Sequence, residues 1–229
     1  MKNTVLIVIL LVTTLSIFAQ DKVNAVENIA YMGITSHEIN LFVTNSDDNE
    51  KFYFSDEIKV NKSDIPRALK FAFTLGPNFV VDEVLVDGLT SPVIANTQYY
   101  SEYFKGRISI EQFHFIEEYA NIYEVELPKY ENKIGEVTIT IKYILNQKMS
   151  SDSFVEKDDR FSFFGKYFWY PRNVYQEPNK FSIIANTTSS YNLHCGLKSI
   201  ETKVEDDVKE SSCDFTKFSK PIDFVIEKR

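Results

Sequence analysis

Only three histidines, His37, His114 and His194, occur in this 229-residue chain, and they stand far apart. A zinc-hydrolase helix needs two imidazoles one turn apart, with a glutamate between them to activate the metal-bound water. No HExxH string is present. Cysteine is equally scarce: Cys195 and Cys213 are the only two. Neither belongs to a CxxC pair, so with His194 they make a poor tetrahedral set. GxSxG, P-loop and GxGxxG strings are absent, which leaves nucleophile-elbow and nucleotide-binding chemistry without a foothold. Basic residues number 25 against 33 acidic ones, a formal charge of -8. An acidic surface repels phosphate backbones, so no nucleic-acid partner is expected. No repeat of 20–50 residues is visible. On these grounds no catalytic residue, no metal ligand and no cofactor is assigned, and the chain is read as not an enzyme.

A single long apolar run is present, and it opens the chain. Lys2 is followed by an apolar stretch from Val5 to Leu15, then by Ser16-Ile17-Phe18-Ala19. Residues 1–20 therefore read as a signal peptide cleaved before Gln20 or Asp21. The alternative, an uncleaved anchor, suffers because the run is shorter than the roughly 18–20 residues a bilayer requires. The expected product is exported, secreted or periplasmic, with no stable membrane insertion after cleavage. Residues 21–229 then form one domain of 209 residues with charge -9, since Lys2 leaves with the leader. A hydrophobic content of 44% and an aromatic content of 14% exclude a disordered chain. In an oxidising compartment Cys195 and Cys213 can pair, closing a loop worth about 3 kcal/mol by loop entropy. The other reading is two buried thiols. Strand-like flanks joined by a polar stretch favour the disulfide.

Period-two alternation dominates the rest. Ile39, Leu41 and Val43 share one face of a first strand, with His37 on the same face as a hydrogen-bonded structural histidine. Leu69, Phe71, Phe73 and Leu75 form the cleanest run and end at Gly76-Pro77-Asn78. Residues 79–86 extend again up to an Asp87-Gly88 turn. Tyr123, Val125 and Leu127, then Val137, Ile139, Ile141 and Tyr143, read as a hairpin joined by residues 129–134. Residues 146–159 are polar and charged and read as a long loop or hinge. Strands are expected again over 181–185, 191–197, 200–204 and 222–226, with 205–212 as a charged hairpin tip. Helical periodicity is scarce. Residues 63–70 allow one turn, and over 98–118 the signals conflict. Tyr99, Tyr100, Tyr103 and Phe104 have helical spacing, whereas Ile108, Ile110, Phe113 and Phe115 look extended. The fold class is all-β: a β-sandwich, or two packed mostly antiparallel sheets.

Phe168-Trp169-Tyr170-Pro171, followed by Glu177-Pro178-Asn179-Lys180-Phe181-Ser182-Ile183, resembles the end of the N-terminal β-domain of the M1 (gluzincin) aminopeptidases. Val84-Leu85-Val86-Asp87-Gly88 looks like that family's strand ending in an Asp/Asn-Gly turn. Val125-Glu126-Leu127-Pro128 and Gly135-Glu136-Val137-Thr138-Ile139-Thr140-Ile141-Lys142-Tyr143 look like its next two strands. Phe218-Ser219-Lys220-Pro221-Ile222-Asp223-Phe224 resembles the closing strand. The resemblance covers residues 36–226 and implies the family's saddle-like N-terminal domain. Departures go with it. The spacing from Tyr170-Pro171 to Glu177-Pro178 is longer than usual, and neither the zinc motif nor the Gly-x-Met-Glu-Asn substrate loop is present. Met32-Gly33 is no substitute. The chain also stops about where that family's catalytic domain would begin.

The aromatic cluster Phe161, Phe163, Phe164, Tyr167, Phe168, Trp169 and Tyr170 has two readings. It is core between sheets, or Phe168, Trp169 and Tyr170 form an exposed binding platform. Asn61-Lys62-Ser63 and Asn186-Thr187-Thr188 are glycosylation sequons, relevant only to eukaryotic secretion. The leading functional expectation is an exported, non-catalytic module acting in binding or assembly, with a protein or peptide partner. The alternatives are the first domain of a truncated or split zinc aminopeptidase, and an extracellular carbohydrate- or peptide-binding sandwich.

Overall fold

The computed structural model describes residues 34–46, 49–61, 70–95, 108–127, 136–149, 151–172, 178, 180–196, 200–205, 208–216 and 220–228. The expected signal peptide, most of the 63–70 turn, the 129–134 connection and residues 98–107 lie outside them.

Alternation builds the largest sheet from its first two strands. β1 (Ile34–Ser46) and β2 (Asn49–Asn61) pair antiparallel along their whole length. The inward faces carry Ile39, Leu41 and Val43 on β1 and Phe52, Phe54, Ile58 and Val60 on β2, all buried. β8 (Glu136–Leu145) joins β2 on its far side, followed by β4 (Phe79–Val86) and the two-residue β5 (Leu89–Thr90). On the other flank β1 takes β11 (Lys180–Thr188) in the one parallel pairing among the described strands, His37 lying opposite Phe181. β14 (Val208–Thr216) and the exposed edge strand β13 (Glu201–Glu205) complete eight strands in the order β13-β14-β11-β1-β2-β8-β4-β5.

Two smaller sheets share the core with the large one. One has the order β12 (Tyr191–His194), β15 (Phe224–Lys228), β10 (Arg160–Phe163), β9 (Phe154–Lys157). The other has the order β3 (Lys70–Leu75), β7 (Asn121–Glu126), β6 (Val93–Ala95). Aromatic rings form the joint between the large sheet and the four-stranded one. Phe52 lies 5.0 Å from Phe161 and 5.5 Å from Phe163, and Phe163 stacks on Phe224 at 4.4 Å. The layered, mostly antiparallel β-sandwich expected from alternation is what the chain forms.

Four local expectations are corrected. β7 and β8 are not a hairpin, because they lie in different sheets. Both edges of β8 are taken by β2 and β4, while the six residues of β7 match the six of β3. Residues 146–159 are not a long loop or hinge. A short turn from Asn146 leads into a tight β9–β10 hairpin, whose tip Asp158-Asp159 has φ of 52° and 60°. Two consecutive positive φ angles give the turn whose twist suits a hairpin, and Asp tolerates them. Most of 205–212 is strand rather than tip, since Val208 to Ser212 pair with β11, and the Lys209 ammonium is taken up by the Tyr191 carbonyl and the Asn192 side chain. Finally, Ile110–Tyr119 is a helix, α1, where alternation suggested extended chain. Its signal is a capping box: Ser109 accepts from the Gln112 backbone N–H, and the Gln112 side chain accepts from the Ser109 N–H. Phe113 and Ile116 then pack with Ala72, Ile122 and Phe168 as a second, smaller cluster.

Candidate functional site

The three imidazoles sit on three different elements, each beside a carboxylate. His114 lies exposed on α1, 3.3 Å from Glu117. His194 on β12 meets Glu227 of β15 at 3.1 Å. His37 is buried, 1% exposed, and its Nδ1 lies 3.0 and 3.1 Å from the two carboxylate oxygens of Asp56, itself 0% exposed. Among the described residues no group of three or more His, Cys, Asp or Glu side chains converges to hold a metal ion.

The His37–Asp56 pair is a polar inclusion in an aromatic core. Phe181 stacks on the imidazole at 5.7 Å, and Tyr170 meets it edge-on at 6.0 Å. Burial pushes the Asp56 carboxyl above the ordinary carboxylate range, against the pull of His37. Burial also holds the Tyr143 phenol well above its usual value, with the Asp56 charge adding to the effect. Tyr143 Oη and His37 Nε2 are buried and have no hydrogen-bond partner among the described residues. Sequence alternation found His37 but missed Asp56. The available signal was its place in the inward row Phe52, Phe54, Asp56, Ile58.

The aromatic segment after β10 is where sequence and structure part on function. The chain makes a short 3-10 turn over Gly165–Tyr167, and Phe168 leaves it in the left-handed region at φ 63°. A Cβ on Gly165 would lie under 3.0 Å from the Ile222 backbone, so glycine is required for this close approach. The kink sends Phe168 to the α1 side, while Trp169 and Tyr170 enter the main core, both 0% exposed. Trp169 Nε1 donates to the Ile222 carbonyl at 2.6 Å. Phe168, Trp169 and Tyr170 are therefore not an exposed platform: Trp169 and Tyr170 are enclosed in the core, and Phe168 is buried against α1 with only an edge left open. Exposed aromatic surface lies elsewhere. Phe42, 45% exposed, pairs across strands with Tyr53, and the row continues through Ile144 to Val80 on the outer face of the large sheet.

Phe168 does contribute to a groove of about 380 Å³ between α1 and the 165–172 segment. Its floor is apolar: Ile108, Phe115, Ile116, Phe168 and Pro221. Lys166 and Arg172 stand on one side, Glu111 and Gln112 of α1 on the other. Lys166 Nζ lies 5.3 Å from the Phe115 ring and 5.1 Å from the Tyr167 ring. The Arg172 guanidinium lies 5.1 Å from the Phe168 ring, and its Nη1 donates to the Gly165 carbonyl at 3.2 Å. Rings hold both cations in place. Hydrogen bonding to its own backbone and to Ser109 keeps the Glu111 carboxyl below its ordinary value. A second, polar depression of about 420 Å³ lies over β1, β2, β11 and β14 and carries both signs, with Lys59 and Glu57 3.6 Å apart.

Two further tethers join the layers. Cys195, just past β12, and Cys213 on β14 form a disulfide, S–S 2.01 Å, linking the four-stranded sheet to the large one. Between β2 and the four-stranded sheet, Glu50 accepts from Lys228 Nζ at 2.7 Å and from Tyr191 Oη at 3.0 Å. Desolvation raises the Glu50 carboxyl, but these bonds outweigh it and leave it below its ordinary value. No helix among the described residues is long and apolar enough to cross a membrane.

No family model matches the chain, and no curated protein matches it by sequence. Solved structures do match by fold. The M1 zinc metallopeptidase from Deinococcus radiodurans aligns with a TM-score of 0.57 at 11% identity, over 86% of this chain and 42% of that one. A two-domain M1 zinc metallopeptidase variant gives the same figures. Native yeast LTA4 hydrolase aligns with a TM-score of 0.53 at 10% identity, over 86% of this chain and 29% of that one. The chain thus spans less than half of the proteins it resembles. Its fold is similar to the N-terminal β-domain of the M1 metallopeptidases.

Proposed function

We propose that this chain is an exported, non-catalytic β-module that works in binding or assembly, as the N-terminal part of an M1-like architecture. The observation that carries this reading is the coverage: 86% of this chain accounts for only 42% of an M1 zinc metallopeptidase. The chain therefore corresponds to a part of that architecture. Placement of the histidines supports it, since each is held near a separate carboxylate on a different element. The Cys195–Cys213 disulfide agrees with an oxidising compartment. Fold likeness alone does not confer activity.

The test is metal analysis and peptidase assay on the purified chain. We expect no zinc carried through gel filtration at one ion per chain, and no cleavage of aminoacyl-p-nitroanilides. Turnover that co-purifies with the chain and is abolished by a chelator would overturn the reading. The same coverage favours a second reading, a first domain completed by a zinc domain from the same gene or a separate chain. An HExxH reading frame continuous with the coding region would favour it.

A further inference from the structure

We propose that the groove between α1 and the 165–172 segment binds an apolar group that ends in a carboxylate. The ligand is either a small aryl or branched organic acid or the hydrophobic C-terminal residue of a peptide. This goes beyond the module reading and does not depend on it. Volume comes first: about 380 Å³ falls at the small end of ligand pockets, which run roughly from 300 to 1,000 Å³. It suits a single ring or branched chain with a short stem. The lining comes second: Ile108, Phe115, Ile116, Phe168 and Pro221 offer apolar surface to such a body.

Charge decides the class of the ligand. Lys166 is exposed at the groove and makes no ion pair with any described residue, while the Phe115 and Tyr167 rings hold its ammonium near them. Arg172, also at the groove, is already engaged by the Gly165 carbonyl and the Phe168 ring, which leaves Lys166 as the cation facing a ligand. Glu111, in the first turn of α1 across the groove, is the opposing charge and the one acidic side chain among the lining residues. An ordered ammonium with no ion pair among the described residues, beside an apolar floor, complements an apolar anion: the body gains burial and the carboxylate gains a charge-assisted hydrogen bond from Lys166. A bare inorganic anion would leave the floor unused, and a neutral hydrocarbon would leave Lys166 unmatched.

The probes are 4-phenylbutyrate and its amide, together with an acetylated tripeptide ending in Phe as free acid and as amide. Binding is read from amide NMR shifts of the purified chain. We expect saturable binding of an acid with a dissociation constant of about 1 mM or tighter, with shifts clustered on α1 and residues 165–172. The acid should bind about five- to ten-fold more tightly than its amide. Lys166→Gln should abolish that preference while leaving the amide's affinity unchanged, and Lys166→Arg should keep it. Lys166 is a surface side chain, so both variants should retain the parent spectrum away from the groove. A tighter peptide acid names a chain terminus as the source; a tighter phenylbutyrate names a small acid. Absence of saturable binding by either acid overturns the proposal. Equal binding of acid and amide, or a preference surviving in Lys166→Gln, does so too.

Discussion

Two buried or half-buried carboxylates should respond to pH with opposite signs. Asp56 has its folded pKa raised by desolvation. Its unfolded form ionises first as pH rises, near the ordinary value of about 4. The folded state is then destabilised progressively until pH passes the raised folded value. Wild type compared with Asp56→Asn should therefore be relatively most stable in acid and lose that advantage as pH rises through this window. Glu50 is held below its ordinary value by Lys228 and Tyr191. Its contribution is present above the unfolded carboxylate value and disappears as pH falls through the folded one, so wild type minus Glu50→Gln should decline in acid. Urea midpoints from pH 3 to pH 8 decide both, and parallel curves for variant and parent would refute the assignments. Trp169 is the only tryptophan, fully buried and bonded to the Ile222 carbonyl. Trp169→Phe removes that donor from a buried acceptor and should cost about 1–3 kcal/mol, measured by far-UV circular dichroism in urea. Its truncation to Ala would report on folding and says nothing of surface recognition.

At the scale of elements, the disulfide joins two sheets and not two neighbouring strands. Reduction should lower stability by about 3 kcal/mol through the 18-residue separation it closes, seen as a lower denaturation midpoint with dithiothreitol. An unchanged midpoint would show that the aromatic joint alone holds the layers. The helix α1 belongs to the smaller cluster, outside the main core. Its amides should exchange with deuterium faster than those of β1, β2 and β8. These elements also show what alternation conveys. Strands such as β1 and β8 were legible because one face is wet and the other dry, so a period of two survives in the residues, whereas β2 was passed over although Phe52, Phe54, Asp56 and Ile58 keep the same period. α1 was not, because Ile108, Ile110, Phe113 and Phe115 mimic that period over a span too short to arbitrate. The Ser109–Gln112 capping box was the better guide. Partner choice between strands was illegible for another reason. Side-chain pattern fixes which face is buried, not which strand lies alongside, so the β7–β8 hairpin expectation followed adjacency and failed. Of the candidate site, Phe168 and its neighbours were found as a cluster. Its polarity depends on Lys166, Arg172 and Glu111 meeting across distant segments, which no local pattern records.

For the molecule as a whole, residues of all three sheets enter one continuous cluster, with Phe52, Phe54, Phe163 and Trp169 joining the large sheet to the four-stranded one. A core of that kind does not come apart sheet by sheet. Thermal unfolding followed by tryptophan emission and by far-UV circular dichroism should give coincident transitions, and two separated midpoints would divide the chain into two domains. The parallel β1–β11 ladder places His37 beside Phe181, so two neighbouring inner strands of the broad sheet are distant in the chain. A nascent polypeptide emerging from the ribosome must hold β1 ready, one flank bare, until β11 has been made. A stop codon anywhere before Lys180 would leave that flank permanently open, an invitation to intermolecular stacking.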